Sequence, residues 1–558
     1  MMKLFHYAKI SLSVLAVLSL TAGIVTPAHA SPAVLPDVTE DMCDPAYWAE
    51  RSAPADPWKS EDGAGDPSEA VADLASLQAL NQLFVETEGL NMQDLTKAEE
   101  VFDGTDLCRR LWKTGMSEIS AYLSGGYFDR SGETVTGPFL VESLMNMEDP
   151  GASPEQELRY GICVNRSNIR AFPSDEIVTD AIGDNDFDYF QLSSLRVNEP
   201  VLVRLTSADE RYYYVDSSAL SGWVLAEDIA VCADKEEWRS AWDIPEDRIL
   251  VVTGGKFFLE KSNTSPRLSG RMLTMGTVLE MADPEEAGEL VSNRSSYHNY
   301  IVWLPVRQED GSYAKEAALI SEHHPVHEGY LPLTTENILE TAFSMLGDAY
   351  GWGGMLDSND CSGYLRDIYR CFGLELPRNT TWQSAMPVAK YDVQEMETAE
   401  KQAILDRMPA GTLLYFKGHG MMYLGHEGDR YYVISSFSSM LDPDGVTRRR
   451  VRSVSVNTLD TLRANGNTWL EDIHTILIPY LDGSRMAQEK GEAEDDPELS
   501  GKDGEIQDPG EGREQYKKPA SEVWNNTEKK QMRPNAPAEA EKPHAADEVT
   551  DSPWRKAS

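Results

Sequence analysis

Positive charge is scarce in this 558-residue chain: 50 Lys and Arg stand against 93 Asp and Glu, a formal net charge of −43. Removing residues 1–30, which hold two lysines and no acids, takes it to −45. Such a balance opposes docking on nucleic acid or on an anionic membrane surface. It suits solubility in an exported compartment. Long apolar runs are also scarce. Ile10 to Val25 is apolar, follows Lys3 and Lys9, and is closed by Pro27-Ala-His-Ala30. That run is too short to span a membrane and ends at an A-x-A cleavage site, so residues 1–30 are expected to be a secretory signal peptide. No cysteine stands there to carry a lipid anchor. The expected destination is the periplasm or cell envelope, with no membrane span. No phosphate-cradling loop appears. His323, His324 and His327 lack cysteine or carboxylate partners at ligand spacing, so neither cofactor nor metal is expected.

Cysteines number six: Cys43, Cys108, Cys163, Cys232, Cys361 and Cys371. In an oxidising compartment pairing is expected. Cys43 with Cys108 and Cys163 with Cys232 are the economical pairs, although spacing alone does not fix connectivity. Cys371 sits in an apolar helical stripe and reads as core. Cys361 is left for chemistry.

The chain divides by texture. Residues 31–125 mix Pro-rich coil with helical patterns, and 126–155 are rich in Gly, Ser and Pro and read as a connector. Residues 156–235 carry short strands at the spacing of a small barrel, such as Pro200–Leu205, Tyr212–Val215 and Gly222–Leu225. Asn168-Ile-Arg170, Phe187-Asp-Tyr-Phe-Gln191, Ser207-Ala-Asp209 and Gly222-Trp-Val224 resemble the bacterial SH3 modules of exported wall enzymes. Residues 240–325 are expected to repeat that all-β module, with a turn at Asp310-Gly311. In 330–482 a helix over Asn337–Leu346, capped by Thr335 and stopped by Gly347, precedes a helix starting near Asp360 and ended by Gly373. Strands follow at Thr412–Phe416, Met421–Leu424, Arg430–Ile434 and Ile473–Ile478. A helix packed on an antiparallel sheet is an α+β domain. Residues 483–558 are acidic and nearly free of aliphatic clusters, a composition expected to be disordered. The whole is multidomain: helical N-terminal region, two SH3-like barrels, α+β C-terminal domain.

Chemistry concentrates in Tyr350-Gly-Trp-Gly-Gly354, Asp360-Cys361-Ser362-Gly363, Leu376-Pro-Arg-Asn-Thr380 and His419-Gly-Met-Met-Tyr-Leu-Gly425. A cysteine at a helix N-terminus is placed where the dipole and free N–H groups favour the thiolate. A histidine on a strand facing it gives the papain-like layout of nucleophile and base. The Cys361 N–H and the Tyr350 hydroxyl are candidate oxyanion donors.

These motifs together resemble the NlpC family of cell-wall cysteine peptidases. The resemblance implies cleavage of peptidoglycan stem peptides between D-glutamate, through its γ-carboxyl, and a diamino acid, usually meso-diaminopimelate. It places Cys361 on the nucleophile, His419 on the base and Ser435 where a residue, often His, orients the imidazole. Tyr350, Asp360, Ser362, Arg378, Asn379 and Thr380 fall on substrate-binding positions, Asn379 and Thr380 replacing the more usual Asp and Ser. The implied partner is the stem peptide, met by a monomer. A wall-binding protein with a weakened site is the other reading, since a serine hydroxyl cannot stabilise imidazolium as a carboxylate would.

Overall fold

A computed structural model describes residues 34–57, 66–288 and 290–484. The expected signal peptide and nearly all of the acidic tail lie outside the described residues. Among the described residues no helix is long and apolar enough to cross a membrane. None of their His, Cys, Asp and Glu side chains form a group able to hold a metal ion.

Three antiparallel β units dominate. The first is a seven-stranded sheet in the order Gln191–Leu195, Ser167–Arg170, Ser221–Leu225, Tyr212–Asp216, Pro200–Thr206, Arg159–Cys163, Ile229–Val231. Trp223, Tyr212 and Phe190 fill its interior. The second is five-stranded, in the order Tyr313–Ser321, Asn299–Arg307, Val278–Met281, Ile249–Val252, Val326–Glu328. It has a core of its own around Leu250, Leu279 and Leu304. Gly311, at φ 89°, turns its long hairpin as Asp310-Gly311 predicts.

The third sheet carries the site. Its order is Val388–Asp392, Thr475–Asp482, Leu413–Phe416, His419–Glu427, Arg430–Leu441, Arg448–Thr458. Two of its strands escape the sequence reading. Val388–Asp392 is short, and Arg448–Thr458 opens with three exposed arginines that hide its alternation. Helices Thr335–Phe343 and Cys361–Arg370 pack beside the sheet, burying Ile338, Leu339, Leu365 and Ile368. The first is capped by Thr334 rather than Thr335: its hydroxyl oxygen accepts from the Asn337 N–H at 3.0 Å.

The segments before the β units do not form a separate body. Helices Pro45–Ala49 and Leu74–Glu86 join the core of the third unit through Trp48, Leu77, Leu80 and Phe84. Helix Gly104–Gly125 instead packs on the first unit. Residues 126–155 are not a plain connector either: Gly137–Met145 is helical and buries Leu140 and Leu144 in that same core.

This division explains why the expected disulfides are absent. All six cysteines are free thiols. Cys43 packs against one core and Cys108 against another. Cys163 ends the strand Arg159–Cys163 and Cys232 follows the neighbouring strand Ile229–Val231, but the register sets Cys163 opposite Ile229, and the Cys232 N–H donates to the Tyr160 carbonyl at 2.8 Å. The two thiols also face different cores, a separation no disulfide spans without backbone movement.

Candidate active site

Asp360 is the N-cap of the helix Cys361–Arg370, and its Oδ1 accepts from the Gly363 N–H at 2.7 Å. This cap places Cys361 at the first helical position, where backbone N–H groups lack helical partners. Gly420 lets the strand His419–Glu427 approach: a Cβ there would lie 2.8 Å from the Tyr415 ring and 3.3 Å from Leu365 on the helix. The Gly420 and Ser362 N–H groups hydrogen-bond toward the Cys361 sulfur, which sets it against the residue that follows His419.

His419 opens the strand His419–Glu427 and is buried among Phe416, Trp469 and Phe437, with ring centroids at 5.2, 5.0 and 6.4 Å. Its Nε2 lies 3.2 Å from the Ser435 Oγ. Ser435 therefore occupies one imidazole nitrogen, and Nδ1 makes no hydrogen bond among the described residues. His426 lies by the Gly428 carbonyl, Asp406 and the Tyr431 ring, and His474 by the Thr475 hydroxyl.

Burial pushes the Cys361 thiol up to about 12, and the neighbouring Asp360 carboxylate adds to that, against the pull of the Gly420 and Ser362 N–H groups and Arg378. Burial, then the Arg463 cation, brings His419 down to about 3. At neutral pH both groups are uncharged in the resting site. The thiolate expected from the helix N-terminus is thus outweighed by desolvation.

The other predicted residues divide into two sets. Asp360, Ser362 and Arg378 form one buried network. Arg378 donates to both Asp360 carboxylate oxygens, at 3.2 and 2.7 Å, and to the Ser362 Oγ at 3.0 Å. The Asp360 Oδ2 also accepts from the Gly353 N–H at 3.1 Å. Burial raises the Asp360 carboxyl, but the Arg378 guanidinium and these hydrogen bonds win and hold it below its usual value. Asn379 caps the helix Thr380–Ser384 by accepting from the Trp382 N–H at 2.9 Å. Tyr350 and Thr380 are left with hydroxyls that make no hydrogen bond among the described residues. Tyr350 is held beside Cys361 by backbone pairing of Gly351 with Asn359 at 3.0 Å.

Sequence reasoning missed a set of residues supplied from elsewhere. Phe187 of the first β unit stacks on Tyr350 at 5.6 Å and packs on Trp352 at 5.5 Å. Arg452 lies over the Phe187 ring and pairs with Asp184 and Asp186. Gln383 donates to the Ser362 and Pro377 carbonyls at 3.1 and 2.9 Å. The Phe187–Gln191 run was visible in the sequence, but only as a barrel signature.

Residues 347–441 match the NlpC/P60 family, and residues 179–225, in the first β unit, match an SH3 domain of the SH3b1 type. The chain thus carries an NlpC/P60 domain joined to an SH3 domain. A gamma-D-glutamyl-L-lysine dipeptidyl-peptidase of Bacillus subtilis (strain 168) is 26% identical over 243 residues, covering 41% of this chain and 74% of the relative. Dipeptidyl-peptidase 6 of Lysinibacillus sphaericus is 33% identical over 91 residues, 16% of this chain and 29% of its own length. The solved structure of an NlpC/P60 endopeptidase from Photobacterium damselae subsp. piscicida shares the fold. Its TM-score is 0.61 at 18% identity, over 77% of this chain and 98% of that one.

Proposed function

We propose that this chain is an exported peptidoglycan endopeptidase that hydrolyses the bond between the γ-carboxyl of D-glutamate and diaminopimelate in stem peptides. The observation that carries this reading is a capped helix start presenting Cys361 beside the strand of a buried His419 whose far nitrogen is occupied by Ser435. The name of the Bacillus subtilis relative supports the γ-D-glutamyl linkage, with L-lysine in the diamino position.

With both groups neutral, attack and proton transfer are coupled. The Cys361 sulfur adds to the carbonyl carbon as its proton passes to His419 Nδ1. The Cys361 N–H and the Tyr350 hydroxyl receive the oxyanion. Collapse of the adduct breaks the C–N bond, and the imidazolium gives its proton to the departing amine. The imidazole then takes a proton from water, which attacks the thioester and releases the glutamyl carboxylate and the thiol. Tyr350 and Thr380 meet the peptide, while Asp360, Ser362, Arg378 and Asn379 hold the surfaces that present them. The first β unit closes one end of the groove beside Tyr350, and the second acts as a further SH3 module.

The second reading, a wall-binding protein with little turnover, draws support from Ser435, a neutral partner for the imidazole where a carboxylate would stabilise its charge. Incubation with L-Ala-γ-D-Glu-meso-diaminopimelate and with its L-lysine analogue, followed by mass spectrometry, separates the two. Release of L-Ala-D-Glu by the parent and not by Cys361→Ala is the expected result. Retention on peptidoglycan without release, from folded and reduced protein, favours the second reading.

A further inference from the structure

The first β unit does more than line the groove: it reaches under the nucleophile. Ser193, on the strand Gln191–Leu195, accepts from the Arg378 Nε at 2.6 Å, and both side chains are buried. Arg378 spends its remaining contacts on Asp360 and Ser362, which flank Cys361. Two residues away, the Gln191 Nε2 donates to the Gly353 carbonyl at 2.9 Å, while the Gly353 N–H donates to Asp360. Arg166 donates to the Gly354 and Ser358 carbonyls at 3.1 and 2.7 Å. The fit is close. A Cβ on Gly353 would lie 2.8 Å from Gln191, and one on Gly354 would lie 2.5 Å from Ser194, both glycines having positive φ.

We infer that Ser193 and Gln191 are positioning residues of the peptidase, acting through Arg378 and the Gly353 loop to hold the Asp360 cap and thereby the Cys361 thiol. The inference deepens the proposed function, since it takes Cys361 as the nucleophile. It makes the SH3 domain part of the catalytic geometry rather than a separable wall anchor. Ser193 has a single role here, because its hydroxyl oxygen is the only acceptor the Arg378 Nε has among the described residues. Losing it leaves a buried cationic donor without a partner, and the guanidinium moves in search of one. Arg378 is among the groups that favour the Cys361 thiolate, together with the Gly420 and Ser362 N–H groups and against Asp360. A displaced Arg378 therefore makes the thiol harder to ionise.

The test uses the full chain and two readouts. Rates of iodoacetamide alkylation at Cys361, followed on its own peptide by mass spectrometry across pH 7–10, need no substrate. Hydrolysis of the stem tripeptide gives kcat and KM separately. Ser193→Ala is expected to slow Cys361 alkylation by roughly three- to tenfold at a given pH and to lower kcat about tenfold with KM little changed. Ser193→Thr, which keeps the hydroxyl, is expected to restore both. Alkylation and kcat unchanged in Ser193→Ala would overturn the inference. So would losses that track a lowered melting temperature and return when only folded protein is counted. If the parent cleaves no tripeptide, the proposed substrate fails, and the alkylation series still decides the positioning role.

Discussion

The two β units that precede the third are both small antiparallel sheets, yet they meet the helix Cys361–Arg370 over different lengths. The first unit runs along it. Ser193 and Gln191 reach its N-terminal end, and Arg196 and Glu199 meet Asp367, Arg366 and Arg370 further on. The second touches its C-terminal end, where the Cys371 Sγ donates to the Val252 carbonyl at 3.5 Å and Gly276 lies against Arg370. It also reaches the end of the glycine loop, with Lys256 Nζ donating to the Asp357 carbonyl at 3.0 Å. The difference separates geometry from support. Contacts at the helix start set the thiol and its cap; contacts at the helix end hold the scaffold that carries them.

The largest expected break is at the helix start. Arg378→Leu strands the buried Asp360 carboxylate and is expected to cost about 3–5 kcal/mol of stability, with turnover lost even in the folded fraction. Urea unfolding and activity per folded molecule measure the two together.

Acid sharpens the contrast between the ends. His419 has a folded pKa of about 3, below an unfolded value of roughly 6.5, so the unfolded chain takes up a proton that the folded site refuses. Its contribution to stability is whole above pH 6.5 and is lost as pH falls toward 3, at up to about 1.4 kcal/mol per unit. Burial raises Glu199, but Arg370, Arg366 and Arg196 outweigh it and hold its carboxyl at about 2. Its share is lost only below the unfolded value of roughly 4.3. Denaturation midpoints followed across pH 3–7 are expected to fall from about pH 6.5 in the parent. In His419→Gln that early part of the decline should shrink, leaving the share of His474, whose imidazole is also held down by burial.

At the helix end, Arg370→Leu removes ion pairs to Glu199 and Glu375. It is expected to lower stability by about 1–3 kcal/mol while kcat per folded molecule holds. A kcat loss there would erase the distinction between the two ends. Smallest of all, Lys256→Ala removes one exposed contact and should stay within about 0.5 kcal/mol, with activity unchanged.

Much of the third unit was legible. The apolar spacing of Leu365, Ile368 and Phe372 and the stop at Gly373 mark the helix Cys361–Arg370. The short-range signals around Cys361 mark its start, because capping and turn chemistry act over three or four residues. Arg448–Thr458 was missed because an edge strand with one face in solvent, begun by charges, lacks the alternation that identifies it. The disulfide pairs failed for the opposite reason. Economy in sequence says nothing about which core a side chain faces, and Cys43 and Cys108 belong to different ones.

By itself the sequence determined the chemical inventory: a thiol at a helix start, an imidazole at the head of a strand, and glycines where only glycine fits. These depend on local backbone geometry and side-chain type, which neighbouring residues specify. Only the tertiary structure decided the protonation state of that pair and the identity of the residues beneath it. Burial outweighs the helix dipole at Cys361, and Ser193, separated from Arg378 by 185 positions, supplies its acceptor. Desolvation and long-range contact belong to the packed molecule, and no window of sequence contains them.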